Sequence, residues 1–177
     1  MIHLATGLAI RDGRVLLVAS HYPNHAQPLW NLPGGRQQPG ELLAETVVRE
    51  FLEETGLCVG AGDVAYVSES YDGAEHFLNV TFLVALRQAQ DDNPERPARS
   101  AALSERSESK GQGDVGRSDR GDHVVEVEWV AIEEIAQRIV VAVVREPLIA
   151  YLHDALPRRY AGYHEAGVRI EWPADSQ

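Results

Sequence analysis

Apolar residues at the start of the chain fall into two β-prone runs, residues 4–10 and 15–20, separated by Arg11-Asp12-Gly13-Arg14. Asp-Gly between such runs is a two-residue turn signal, so the chain is expected to begin as a β-hairpin. Residues 21–29, punctuated by Pro23, Asn24 and Pro28, read as a loop, and Trp30-Asn31-Leu32 as a short extended piece before the breaker Pro33-Gly34-Gly35. From 41 to 55 the pattern changes period. Ala44, Val47, Val48, Phe51 and Leu52 recur at helical spacing, and Gly56 stands where a helix ends in a left-handed residue.

Residues 64–70 and 77–86 return to strand character, with Tyr71-Asp72-Gly73 in the turn between them. Residues 88–122 are rich in Ser, Gly, Arg, Asp and Glu, with Leu103 and Val115 as the large aliphatics. That is too little to form a core, so the segment reads as a long polar loop inserted between two core strands of one domain, 1–177. Residues 124–130 restore a strand, and 132–144 and 148–156 look helical on either side of Pro147; nothing is assigned after Pro157. Strands and helices interleaved in this way predict an α/β layered domain around a mixed sheet.

At 177 residues the chain is long enough to bury a sizeable core. Its longest apolar run, residues 139–144, is far too short to cross a bilayer. Residues 1–4 carry no basic region leading into an apolar stretch, so no secretory signal is read. Cys58, the single cysteine, excludes an internal disulfide and a Cys-rich zinc site. A cytoplasmic location is the expectation. Net charge is -11, so the mean field repels phosphate backbones, and nucleic-acid polymers and membranes are poor partners. A phosphorylated small molecule could approach only with a cation between it and the protein's carboxylates.

The segment beginning at Gly35 and running through the 41–55 helix supplies such carboxylates. Glu50, Glu53 and Glu54 fall at i, i+3 and i+4 and share one helix face beside the apolar stripe. Like charges so placed repel, and a bound Mg2+ or Mn2+ would reverse the sign. Gly34 and Gly35 let the backbone approach them closely, where a main-chain carbonyl could add a ligand. A solvated glutamate face would show the same triplet, so the three residues alone decide little.

The whole array decides more. Gly35, Glu41, Arg49, Glu50, Phe51, Glu53, Glu54, Gly56 and Leu57 fill every position of G-x5-E-x7-R-E-U-x-E-E-x-G-U, U being bulky and apolar. This pattern resembles the Nudix box of the MutT-like Nudix hydrolases, and a chance match of its fixed letters is on the order of one in a million. The resemblance implies a Nudix fold, an α/β/α sandwich with a mixed β-sheet. It also implies metal-dependent hydrolysis of a nucleoside diphosphate linked to another moiety, by water attack on phosphorus. Carried over by position, Glu50, Glu53 and Glu54 would bind the metal with help from the Gly34 carbonyl. Arg49 would orient a glutamate, Glu41 would support the cluster, and Glu50 or Glu53 would be the base.

Many relatives carry a glutamate shortly before the Trp-Val of the last strand; here His123 falls there, with Glu126 nearby. His123, Glu126, Tyr22, His25 and Tyr71 are the candidates for substrate contact. Family markers for ADP-ribose (a proline) or dinucleoside polyphosphates (a tyrosine) would fall near Gly73, with Tyr71 slightly early, so neither substrate class is selected. A silent nucleotide-binding module, or a protein whose insertion engages a partner, are the competing readings, and a homodimer is left open.

Overall fold

The computed structural model describes residues 1–87, 123–154 and 159–167. The insertion expected at 88–122 lies outside them. Among the described residues nine strands and three α-helices follow in chain order: β1 (Ile2–Leu8), β2 (Ile10–Arg11), β3 (Arg14–Ser20), β4 (Leu29–Asn31), β5 (Gly34–Arg36), α1 (Leu43–Thr55), β6 (Val59–Asp72), β7 (Glu75–Leu86), β8 (Val124–Ala131), α2 (Ile135–Arg138), α3 (Ala142–His153) and β9 (Tyr160–Tyr163).

The strands form two sheets where the sequence suggested one. A mixed sheet runs β5-β1-β7-β6-β9, with β1 parallel to β7 and β9 parallel to β6. The second sheet is antiparallel: β3 pairs with β8 along its length, and also with the short β2 and β4. The expected opening hairpin is accordingly cut short. Asp12 and Gly13 do form a tight turn, both at positive φ (51° and 71°), but only Ile10–Arg11 continues from it to pair with β3. Residues 2–8 belong to the mixed sheet, because β1 finds a full-length parallel partner in β7 that a local hairpin could not offer.

Helix α1 begins without a side-chain cap at Leu42; the Glu45 carboxylate instead accepts the Leu42 N–H at 2.8 Å. It ends at Gly56, φ 70°, whose N–H returns to the Leu52 carbonyl. Its apolar stripe packs on one face of the mixed sheet, where Phe51 joins Ala9, Leu16 and Val59 in a buried cluster. Gly7 makes room for it: a Cβ there would stand 2.8 Å from the Phe51 ring. The opposite face receives α3, with Leu148 buried among Leu8, Tyr66, Val130 and Ile135. The expected α/β/α layering is therefore present.

Three local expectations change. The helical break near the C-terminus falls at residues 139–141, where Ile139 and Val141 are extended, and not at Pro147, which sits inside α3. Pro147 and Leu148 are both buried, and that packing outweighs one missing helical hydrogen bond. The turn after β6 is also tighter than expected, since Tyr71 and Asp72 remain in the strand and pair with His76 and Glu75. Finally, the unassigned tail contains β9, which has no hydrophobic periodicity to announce it. No helix among the described residues is long and apolar enough to span a membrane.

Candidate active site

The box residues converge because β5, the loop after it and α1 fold against one another. Strand alternation turns Gly35 toward α1, where an added Cβ would stand 2.6 Å from the Glu50 carboxylate carbon. Gly34, at φ 151°, lies against β1; a Cβ there would meet the Ala5 carbonyl oxygen at 2.2 Å. Both positions require glycine for closeness.

Arg49 is the hub. Its Nε and Nη2 donate to both oxygens of Glu41 at 2.6 and 3.0 Å, a two-pronged pair that fixes the guanidinium plane. Nη1 donates to Glu50 Oε1 at 2.7 Å and to Glu53 Oε2 at 3.1 Å, and Nη2 also reaches the Arg36 carbonyl at 3.2 Å. Glu41 is held further by the Gln38 N–H and the Thr46 hydroxyl. Hydrogen bonds from Arg49 pull the Glu41 carboxyl down to about 2, so it stays ionised and holds Arg49 in place. The same contact raises the Arg49 pKa.

Glu54 differs. Buried like Glu50, it accepts the Gly34 N–H through Oε2 at 2.8 Å. Burial pushes its pKa up to about 8; the Gly34 hydrogen bond opposes this, while the charges of Glu50 and Glu53 add to it. The family pattern implies a role for the Gly34 carbonyl as a metal ligand; the contact seen here is the one its N–H makes to Glu54.

Among the described residues, no three His, Cys, Asp or Glu side chains are drawn together as a ready-made metal cage. Arg49, in contact with Glu41, Glu50 and Glu53, is what holds those side chains where they stand. The donor set nonetheless fits a hard divalent cation: closely spaced carboxylates, with Glu50 and Glu54 buried and the ionised form of Glu54 disfavoured by burial and by its like-charged neighbours.

Of the candidates for substrate contact, the structure brings His123 and Tyr22 to this cluster. His123 Nε2 lies 3.9 Å from Glu54 Oε1, and its ring is 6.0 Å from that of Tyr22. Tyr22 is buried in a cluster with Leu29 and Val141, so it is not the exposed loop aromatic that sequence suggested. Burial, then the Glu54 charge, push its hydroxyl up to about 12, against a hydrogen bond with Ser20. His25 remains in the loop, its N–H bonded to the Tyr22 carbonyl. Glu126 is exposed on β8 opposite Ala19, and Tyr71 stacks on His76 at the tip of the β6–β7 hairpin, 4.4 Å between centroids. Neither belongs to the Arg49 network.

A NUDIX domain family model matches residues 1–152. The chain belongs to the NUDIX family. It is similar to the CTP pyrophosphohydrolase of Escherichia coli, 32% identical over 63 residues, which are 36% of this chain and 47% of that protein. It is also similar to the ADP-ribose pyrophosphatase of Methanocaldococcus jannaschii, 32% identical over 80 residues, 44% of this chain and 47% of the relative. The chain thus spans about half the length of these curated relatives, at 47% of each. In three dimensions it resembles a NUDIX hydrolase from Nitrosomonas europaea, with a TM-score of 0.60 at 21% identity, covering 90% of this chain and 91% of that one. That likeness shows the NUDIX fold.

Proposed function

We propose that the protein is a metal-dependent pyrophosphohydrolase acting on a nucleoside diphosphate linked to another moiety. The observation that carries this reading is the Arg49 hub, which holds Glu41, Glu50 and Glu53 in one network beside the buried Glu54. Glu50, Glu53 and Glu54 would hold Mg2+ or Mn2+. When bound, such an ion neutralises diphosphate charge and lowers the pKa of a coordinated water.

Each residue then has a distinct task. Glu41, ionised and gripped at both oxygens, fixes the plane of Arg49. Arg49 in turn fixes Glu50 and Glu53 by one oxygen each. Glu53 is the more open of that pair, with 28% side-chain exposure against 8% for Glu50, and is assigned as the base that takes the proton of the attacking water. Gly34 N–H holds Glu54 in one orientation.

The test is a panel of nucleoside triphosphates, nucleotide sugars and dinucleotides incubated with Mg2+ or Mn2+, with products identified by mass. Release of nucleoside monophosphate that stops in chelator supports the hydrolase. Tight nucleotide binding with no monophosphate formed would instead identify a silent module.

A further inference from the structure

Arg49 pairs with Glu50 and Glu53, and among the described residues no ion pair joins it to Glu54. What faces Glu54 is an imidazole. The Gly34 N–H fixes Glu54 through Oε2, and the other oxygen, Oε1, is the one that lies 3.9 Å from His123 Nε2. That separation is too long for a hydrogen bond, so the two groups are held near each other without being joined. It does suit two ligands of one ion: with bonds of ~2.1 Å, neighbouring ligands stand ~3 Å apart and opposite ones ~4.2 Å.

Both groups are set in place by the fold. His123 stands just before β8, where its carbonyl accepts the His21 N–H at 2.8 Å and extends the β3–β8 ladder. Its ring lies 6.0 Å from that of the buried Tyr22, tilted by 48°. Side-chain exposure is 18% for His123 and 4% for Glu54, so bulk water has little access to the gap between them. Glu54, buried beside two like charges, is the carboxylate of the cluster that gains most from a cation. The nitrogen opposite it decides which cation. Sites of oxygen alone suit Mg2+ and Mn2+ alike, whereas imidazole suits transition ions and Mg2+ sheds its waters reluctantly.

We propose that His123 ligates the metal through Nε2 together with Glu54, making a mixed nitrogen–oxygen site that selects Mn2+ over Mg2+. The proposal rests on the metal-dependent reading above and sharpens it. Tyr22 acts through packing, as a positioning residue that limits the swing of the imidazole.

Pulsed EPR of the full chain with Mn2+ alone reads the ligand without turnover, because an imidazole on the ion gives nitrogen modulation and an all-oxygen shell does not. Expected are nitrogen modulation in the parent and its loss in His123→Ala. Mn2+ affinity in that variant should be weaker by about tenfold or more, since even residues that only orient a ligand cost that much. Mg2+ affinity should fall less, so the two dissociation constants converge. His123→Glu, which supplies an oxygen donor, should recover metal binding without nitrogen modulation and without the preference for Mn2+. Melting curves verify folding, and where His123→Ala does not fold, His123→Glu carries the same comparison. A parent spectrum without nitrogen modulation, or modulation that persists in a folded variant, overturns the proposal while leaving metal-dependent hydrolysis intact; the first result would mark His123 as an ion-pair partner of Glu54 only. Absence of both Mn2+ binding and metal-stimulated turnover overturns the metal-dependent reading, and this inference with it.

Discussion

Two glutamates at opposite regions of the mixed sheet show how one side chain acquires two characters. Glu54, beside β5, is buried next to Glu50 and Glu53, and burial drives its pKa up to about 8. Glu69, near the tip of the β6–β7 hairpin, accepts hydrogen bonds from Tyr160 and His76, and its pKa is lowered, with the Tyr160 bond as the larger cause. Each carboxylate has protein donors. The difference lies in solvent and in the sign of neighbouring charge, so Glu54 is poised to gain from a cation whereas Glu69 is already satisfied.

The largest effect should come from Glu53→Gln, which removes the proposed base and should lower kcat by about 10²–10⁴-fold in a protein that still melts cooperatively. Unchanged turnover would reassign the base. Arg49→Lys should follow, because an ammonium cannot grip Glu41 at both oxygens while reaching Glu50 and Glu53. A loss of about 10–100-fold in kcat, with weaker Mn2+ binding by titration, is expected for a residue that orients ligands.

Gly34→Ala should cost roughly 1–3 kcal/mol in chemical denaturation, since its Cβ meets backbone. Gly13→Ala, whose position is open on all sides, gives the control for positive φ alone.

A pH series sharpens the contrast further. The Glu54 pKa in the fold, about 8, is above the ordinary 4.5, so the folded state binds that proton more tightly than the unfolded chain. Its contribution is fully present below about 4.5 and is lost as pH rises through 8. Glu41, pulled down to about 2, works in the opposite sense: its contribution is present above 4.5 and lost as pH falls toward 2. In chelator, Tm should decline between pH 5 and pH 8, and Glu54→Gln should flatten that decline; an unaltered slope in the variant would contradict the burial argument. Glu69→Gln should do least, with Tm and turnover both close to those of the parent, because surface pairs contribute little.

Much of the site was legible in the chain because its signals are local. Helix spacing sets Glu50, Glu53 and Glu54 on one face, Gly56 ends that helix, and Arg49 lies about one turn or less from Glu50 and Glu53, two of the three carboxylates it holds. Asp12-Gly13 likewise specified its own turn. These features depend on residues a few positions apart, where backbone geometry leaves few alternatives.

What tertiary structure decided involves partners far apart in sequence. Nothing local distinguishes a β1 that pairs with β3 from one that pairs with β7, so the opening run was divided between two sheets only when the parallel register became available. Tyr22 looks like an exposed loop residue until Leu29 and Val141 close over it. Asn79 is one polar residue in an apolar strand until β1 brings Thr6 beside Thr81 and ties one end of the amide. The sequence determined which groups are carried on which face; burial, which depends on strands and helices assembled from across the chain, determined which of those groups are charged, satisfied or left in need of a ligand.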